Sequence, residues 1–180
     1  MKWLIIVAAV MMAISPVMWL KPSPRQRQRD RLRELARQYD VKVERREAPL
    51  LLVKDDMPAY RLRYPGDRPG PDFTLVRDAV ASQDLARYTD GWRFRIAPLR
   101  PLPRDAQQQL AEMVSALPDD VWVVESNQAA LTLWWWESST AEALSPALKA
   151  AAALRDTLCG HADHPGVSPL RAPAMPEKSG

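Results

Sequence analysis

The chain has 180 residues, with 25 basic, 22 acidic and two histidine side chains, and is long enough for one domain of ordinary size. A single cysteine, Cys159, excludes an internal disulfide framework, and seventeen prolines exclude long unbroken elements where they cluster. The formal net charge of +3 is unevenly placed, because seven basic and two acidic residues lie between Lys21 and Arg37. The chain after Arg37 is therefore slightly acidic.

The first predicted element is a membrane anchor over residues 1–20. Residues 3–20 carry no charge, and a helix of that length spans roughly 27 Å, close to the thickness of a bilayer core. Trp3 and Trp19 lie near its two ends, where indole rings prefer the headgroup boundary. A cleaved secretory signal is the competing interpretation. Its small-x-small site at residues 13–15 would leave a proline directly after the cut, so we expect a retained anchor.

Charge around the anchor predicts its orientation, since basic flanks tend to stay in the cytoplasm. Before the anchor lie only Lys2 and the α-amino group. After it come the residues that we expect at the membrane surface: Lys21, Arg25, Arg27, Arg29, Arg31, Arg33 and Arg37. The sequence therefore predicts a single-pass protein with its N-terminus outside and its C-terminal domain in the cytoplasm. In a bacterial cell the membrane would be the inner one.

A basic juxtamembrane helix is predicted within residues 21–39. Ser23 and Pro24 form a helix start, with a serine N-cap and a proline at the first helical position. A narrow apolar stripe follows at helical spacing, formed by Leu32, Leu35, Ala36 and Tyr39. Two interpretations fit: a solvated connector whose arginines set topology, or a surface helix paired with anionic headgroups.

A soluble α+β domain is predicted over residues 40–159, beginning with an antiparallel meander. Alternation predicts strands at residues 41–47, 50–54 and 60–64, with a turn at residues 55–58 between the last two. A loop rich in proline and glycine follows at residues 65–71.

The middle of the domain is less clear. The spacing of Val76, Ala79 and Val80 suits a helix within residues 73–88, and residues 92–96 alternate as a strand with one buried face. Prolines then predict an extended connector.

The last third predicts a helix, a hairpin and a second helix. The helices fall at residues 104–117 and 140–158, and the hairpin strands at residues 121–125 and 129–136. This order indicates a small antiparallel sheet with helices packed on one face. Residues 160–180 are rich in proline and small polar side chains and are predicted to be disordered.

Tryptophans mark the hairpin. In a strand Trp134 and Trp136 share one face, Trp135 takes the other, and Trp122 lies on the paired strand. One interpretation is an exposed aromatic platform that contacts a partner, a lipid surface or a ligand. The other is a strand that buries large side chains on both faces.

Motifs for chemistry are weak. Cys159, His161, Asp163 and His164 supply metal-ligand types, but zinc sites usually join two separated clusters, so no metal or cofactor is expected. No histidine precedes residue 161, which removes the usual general base from the domain, and the aspartate pairs at 55–56 and 119–120 suit turns. The acidic balance after Arg37 argues against nucleic acid.

The opening layout resembles the small accessory subunit of the bacterial preprotein translocase. The residues concerned are Met18-Trp19-Leu20-Lys21-Pro22, then Arg25-Gln26-Arg27-Gln28-Arg29, a helix and a strand from Val41, over roughly the first 45 residues. The resemblance implies one N-terminal span with a basic exit. The family's small glycine-rich β-domain has no counterpart in this sequence.

Together these patterns predict a non-enzymatic, membrane-anchored interaction or assembly module. Its expected partners are the lipid bilayer and another membrane or membrane-associated protein. The alternatives are a lipid- or ligand-sensing domain, and an enzyme without a recognisable motif.

Overall fold

The computed structural model describes residue 3 and residues 24–50 and 56–163, which form an α+β structure. Its helices are α1 (Pro24–Gln38), α2 (Arg104–Ala116) and α3 (Ala141–Leu158). Its strands are β1 (Val41–Glu47), β2 (Asp56–Arg63), β3 (Phe73–Arg77), β4 (Ala86–Thr89), β5 (Trp92–Ile96), β6 (Val121–Ser126) and β7 (Ala130–Trp135).

All seven strands form one antiparallel sheet in the order β1-β2-β7-β6-β3-β5-β4. The β6–β7 hairpin therefore lies at its centre, flanked by β2 and β3. β1 and β4 are the edge strands. The two neighbours of the hairpin, β2 and β3, are themselves paired on their far sides. β7 is therefore an interior strand, and its side chains are buried along its whole length.

The three helices pack on one face of the sheet, which we call the inner face. Apolar side chains from every helix join the core there, for example Leu32 of α1, Leu110 of α2 and Leu154 of α3, each with no exposed surface. They meet the inward residues of the strands, such as Leu75 and Leu133. The prediction of an α+β fold with an antiparallel sheet is confirmed.

The opposite face, called the outer face, has a smaller apolar cluster to which none of the described helices contributes. Its buried members are Ala48, Met57, Ala59, Val76, Val123 and Trp134. The chain leaves β1 at Ala48 and crosses this face, since the Arg95 guanidinium of β5 donates a hydrogen bond to the carbonyl of Pro49. Residues 48–50 thus extend from one edge of the sheet towards the other.

α1 is attached to this domain by its apolar stripe. Leu32 and Ala36 are fully buried, and Leu35 and Tyr39 are partly buried against the same core. The helix contacts α3 and β1. The predicted stripe is therefore the face that packs on the domain, while the arginines lie on the remaining surface of the helix.

Several predicted elements are confirmed within a residue or two at their ends. These are the first strand, the loop at 65–71, the strand at 92–96, the hairpin and all three helices. The strand predicted at residues 60–64 is present, but it begins four residues earlier, at Asp56. In β5, Trp92 is buried but Ile96 is 52% exposed, so the predicted buried face fades towards the end of that strand.

The turn predicted at residues 55–58 is wrong for its described part, because β2 begins at Asp56. Pro58 pairs with Arg45 of β1, whereas the pairing of β2 with β7 starts only at Ala59. A proline lacks an amide donor and is tolerated where one side of a strand is unpaired. The proline therefore extends the strand rather than ending it.

The helix interpretation of residues 73–88 is also wrong. β3 occupies Phe73–Arg77, a single 3₁₀ turn follows at Asp78–Val80, and β4 starts at Ala86. β3 lies between β6 and β5 and is buried on both faces. A strand buried on both faces is apolar without alternation, which makes its sequence pattern easily mistaken for a helix.

Several predictions fall outside the described residues: the anchor apart from Trp3, the strand at 50–54 apart from its first residue, and the tail from residue 164. Trp3 is 80% exposed. Within the described part of the chain, no helix combines the length and apolarity needed to cross a bilayer. Asp163, which falls in the predicted tail, is buried and its Oδ2 accepts a hydrogen bond of 2.9 Å from the Asp72 amide.

Candidate functional site

Alternation along β7 divides the tryptophans between the two faces of the sheet. Trp135 points to the inner face, is fully buried, and packs edge-on against Tyr60 with ring centroids 5.3 Å apart. Trp134 belongs to the outer-face cluster and is 5% exposed. Of the predicted contact residues, Trp135 is therefore a core residue with no surface to offer a partner.

Trp122 and Trp136 form a pair on the outer face. Their rings meet edge-to-face at 5.4 Å and 78°, and both side chains are partly buried against the outer cluster. A register shift between Val121 and Val123 brings Trp122 to this position. We call Trp122, Trp134 and Trp136 the tryptophan patch. It leaves aromatic surface accessible at the centre of the sheet.

A cleft of about 390 Å³ lies beside the tryptophan patch. It is bounded by the end of β1, by Pro49 in the segment that follows β1, and by the strands β2, β6 and β7. Polar side chains of both signs line it together with Trp134: Arg46, Glu47, Arg61, Glu125, Asn127 and Thr132. On β2, β6 and β7 the lining residues Arg61, Glu125 and Thr132 face this side because they alternate with inner-face residues along their strands. The cleft therefore combines an aromatic wall with balanced charge.

Glu125 holds the Trp134 ring in place at the floor of the cleft. Its Oε2 accepts a hydrogen bond of 3.0 Å from Trp134 Nε1, and its Oε1 accepts a longer one of 3.5 Å from Asn127. The Asn127 side chain in turn accepts bonds from the amides of Ala129 and Ala130, which closes the β6–β7 turn. The cleft wall is therefore fixed by the hairpin itself.

A second charged group borders the cleft on β1 and β2. Lys42 Nζ lies 2.6 Å from Glu44 Oε1, and Arg61 donates to Glu44 Oε2 at 3.4 Å. The hydrogen bond from Lys42 is the largest influence that lowers the pKa of Glu44 below its ordinary value. Arg46, one alternation further along the same face, has no ion pair among the described residues.

The N-terminal half of α1 lies next to the tryptophan patch. Arg29 Nε is 3.6 Å from the buried carboxylate of Glu137, and Gln28 donates to the Ser139 carbonyl at 2.7 Å. Gln28 and Arg29 line one notch together with Trp136 and Glu137. The end of α1 nearest the predicted anchor is thus close to the patch.

Glu137, which the sequence did not single out, lies where α1 contacts the residues that follow β7. It adopts a left-handed backbone conformation with φ of 59°, and its Oε1 accepts a hydrogen bond of 2.9 Å from Tyr60. Burial, helped by the Glu137 carboxylate, raises the pKa of Tyr60 far above its usual range, so the hydroxyl stays protonated and donates. The sequence signal that could have identified Glu137 is its position as a charged residue directly after the β-forming residues of β7.

Of the predicted membrane-surface residues, Arg27, Arg29, Arg31, Arg33 and Arg37 are exposed on α1. Arg37 pairs with Glu34 one turn away at 3.1 Å. The side chains of Lys21 and Arg25 lie outside the described residues. The exposed guanidinium groups leave α1 with a strongly basic surface opposite its buried stripe.

Asp120 has a structural role. Its carboxylate accepts hydrogen bonds of 2.6–3.0 Å from the amides and hydroxyls of Ser138 and Ser139. Burial acts to raise its pKa, but these bonds outweigh that effect and hold the pKa below its ordinary value. Asp119 is exposed and lies 3.5 Å from Arg77. This aspartate pair therefore fixes a turn, as its sequence context indicated.

The candidate metal ligands are not brought together. Cys159 is buried and reduced, and burial raises the pKa of its thiol. His161 is exposed, whereas the Asp163 carboxylate is buried and accepts a hydrogen bond from the Asp72 amide. Within residues 24–50 and 56–163 no group of three or more metal-binding side chains converges. His164 lies outside the described residues.

Comparison of the chain with protein-family models, with curated proteins and with solved structures found no match. The function must therefore be argued from the geometry of this chain alone.

Proposed function

We propose that this protein is a non-enzymatic interaction module, anchored in the inner membrane by residues 1–20, with its α+β domain on the cytoplasmic side. Its outer face binds another membrane or membrane-associated protein. The observation that carries the proposal is the tryptophan patch, where Trp122 and Trp136 leave aromatic surface accessible on the face that none of the described helices covers. Tryptophan is enriched where proteins bind one another, because one ring buries a large area at little entropic cost.

The charges around the patch favour a protein partner over a lipid surface. The cleft has cations from Arg46 and Arg61 beside an anion from Glu125. An anionic bilayer would favour a face of uniformly positive charge. A protein surface can instead match both signs, and such matching sets the register and specificity of a complex.

The position of the patch agrees with a partner at the membrane. α1 begins only a few residues after the predicted anchor, and its residues Gln28 and Arg29 share a notch with Trp136. A partner that engages the patch would therefore lie close to the bilayer. The basic surface of α1 would rest against anionic headgroups, each cation contributing about 1 kcal/mol near the surface.

Site-specific photocrosslinking tests the partner class. Trp136 is replaced by p-benzoylphenylalanine in the full-length protein in cells, with Ser115, exposed on α2, as the control position. We expect a protein adduct at position 136 that is absent at position 115. A second variant, Arg61→Glu, should reduce the adduct because it reverses one charge of the cleft. Adducts with phospholipid alone would overturn the proposal and support the lipid-sensing alternative.

A labelling experiment tests the orientation independently. Cys159 is buried and unsuitable as a probe, so the reporter is Ser115→Cys in a Cys159→Ser background. A membrane-impermeant maleimide should label it only after the cells are broken. Labelling in intact cells would place the domain outside. Sedimentation of the full-length protein with membranes, and its release by detergent but not by high salt, would test the anchor.

A further inference from the structure

A second concave surface lies at the far edge of the sheet, away from the tryptophan patch. It is a groove of about 570 Å³ between the edge strand β4, its neighbour β5, the connector at residues 97–103 and the first half of α2. Its cation is Arg104, and its apolar wall is formed by Tyr88, Phe94, Pro98, Pro101 and Leu102. We call it the edge groove.

The walls of the edge groove are held in place. Tyr88 and Phe94 pack edge-to-face with ring centroids 4.8 Å apart. Gln107 Nε2 donates to the Leu102 carbonyl at 2.7 Å, which ties the connector to α2. Three prolines in the connector fix their own φ angles. A wall that is already ordered loses little entropy when a segment binds to it.

Apolar surface continues from the groove into solvent. Ile96 at the end of β5 is 52% exposed and Leu99 in the connector is 72% exposed. Large aliphatic side chains that gather beside an aromatic groove mark an interaction site more often than isolated exposed ones do. Among the described residues β4 also has no strand on its outer side, so its backbone is available for pairing.

The charge of the groove specifies what can bind. Arg104 lines it and Arg100 of the connector is exposed beside it, and neither takes part in an ion pair among the described residues. No carboxylate of the described residues lines the groove, although Asp105 follows Arg104 in the first turn of α2. Unpaired guanidinium groups at an apolar site are suited to bidentate bonds with carboxylates.

We propose that the edge groove binds an extended, acidic segment of a partner protein, with apolar side chains placed against Tyr88, Phe94 and Pro101 and carboxylates placed at Arg100 and Arg104. The extended form follows from the open backbone edge of β4, where a segment can add main-chain hydrogen bonds. This site is separate from the tryptophan patch, so the protein has two surfaces with which to join other chains.

The test again uses photocrosslinking in the full-length protein, now from p-benzoylphenylalanine in place of Leu99. The crosslinked peptide is sequenced after protease digestion. We expect one protein segment with net negative charge and apolar residues, and a roughly tenfold lower yield in Arg104→Glu, which corresponds to about 1.4 kcal/mol. The matched control, Lys149→Glu on the exposed side of α3, makes the same charge change elsewhere and should leave the yield unaltered.

Four results would overturn this proposal: a yield unaffected by Arg104→Glu, an adduct with a second copy of the chain, an adduct with phospholipid, or no adduct beyond that from position 115. The adduct from position 136 is measured in the same variants. Because the patch and the groove lie at different places, Arg104→Glu should leave that adduct intact. Loss of both adducts together would instead indicate that the variant had not folded.

Discussion

The two faces of the sheet are formed by the same strands but bury different kinds of side chain. On the inner face, Leu62, Leu75 and Trp135 are at most 1% exposed and meet apolar side chains from three helices. On the outer face, small residues such as Ala59 alternate with charged ones such as Arg61. Neighbouring residues of one strand can therefore serve stability and binding separately, which makes the two roles separable by mutation.

The hydroxyl groups of the inner face differ in a similar way from the charged groups of the outer face. Under the helices, each buried hydroxyl has a defined partner: Tyr60 donates to Glu137, and Tyr64 and Ser126 are bonded at 2.9 Å. On the outer face, Arg46 has no ion pair among the described residues, and the cleft beside it is open to solvent. Satisfied polar groups contribute to folding, while unpaired charges at a cleft are available to a partner.

The largest expected effect comes from exchanging one tryptophan for alanine on each face. Trp135→Ala leaves a cavity in the inner core and should lower the free energy of unfolding by about 3–5 kcal/mol. Trp136→Ala removes a partly buried ring and should cost only about 1–2 kcal/mol. Urea denaturation of the protein, followed by circular dichroism, measures both.

The binding readout should show the opposite ranking. Trp136→Ala, measured at a temperature where it remains folded, should reduce capture of the partner by a probe at position 122. Equal stability losses for Trp135→Ala and Trp136→Ala would remove the distinction between the faces. Undiminished capture in Trp136→Ala would contradict the role of the tryptophan patch.

The hairpin shows how far local sequence can predict this separation. Alternation predicted that Trp134 and Trp135 point in opposite directions, and they do. The alternation did not predict which of the two side chains points into the core. That depends on which face the helices cover. α2 and α3 adjoin the hairpin in sequence, but the face on which they pack is decided by tertiary contacts. The exposure of Trp122 was likewise set by a register shift in β6.

Failures of prediction arise where partners distant in sequence decide the structure. Val76 in β3 and Ala79 and Val80 in the turn after it have the spacing of a helix, but pairing with β5 and β6 makes residues 73–77 an interior strand. Pro58 lies in β2 because only β1 pairs with that part of the strand. The outer-face cleft joins residues from β1, β2, β6 and β7, so no local motif could reveal it.

Tight packing on the inner side can be tested at Gly70. A Cβ atom at this position would lie 2.2 Å from Tyr64 Cε2, and the ring is fixed by its hydrogen bond to Ser126. Gly70→Ala should therefore cost about 2–3 kcal/mol through overpacking, measured as a lower midpoint in urea. Gly66→Ala is the matched control, because its Cβ would meet nothing within 4 Å.

If Gly70→Ala were as stable as the wild-type protein, the Tyr64 ring would be free to move and the inner core less constrained than its contacts indicate. The double variant Gly70→Ala with Tyr64→Leu sharpens the test. It removes the ring that the new methyl group would strike, so the added cost of Gly70→Ala should largely disappear in that background.

Arg77 connects the sheet to the end of α2 from the inner side. Its guanidinium donates to the carbonyls of Leu117, Pro118 and Val121 at 2.8–3.1 Å, and lies 4.7 Å from the Trp92 ring centroid. Arg77→Lys keeps the charge but cannot reach three carbonyls at once. We expect a loss of about 2 kcal/mol in the free energy of unfolding.

Arg87→Lys serves as the control for Arg77→Lys, since Arg87 is exposed on β4 and the same exchange there should change stability by less than about 0.5 kcal/mol. Similar losses in the two variants would mean that the guanidinium fork of Arg77 contributes nothing beyond its charge. Tryptophan fluorescence is a second readout, because Trp92 also donates through Nε1 to the Val114 carbonyl at 3.1 Å.

The smallest expected effect concerns Asp120, which joins the two faces. Its backbone carbonyl accepts from the amide of Trp136, and its carboxylate holds Ser138 and Ser139 at the approach to α3. Asp120→Asn keeps the shape but gives up charged hydrogen bonds, which should cost about 1 kcal/mol at neutral pH for this partly exposed group.

The pH dependence identifies this carboxylate as the cause. Hydrogen bonds hold the pKa of Asp120 lower in the folded protein than in the unfolded chain, where it is about 3.9. The unfolded chain therefore takes up the proton first, so the stabilisation is complete above about pH 5 and disappears as the pH falls through the lower folded value. Urea midpoints of the wild type and Asp120→Asn should differ at pH 7 and converge as the pH falls below the folded pKa. Parallel curves across that range would mean that the charge of Asp120 does not hold the turn.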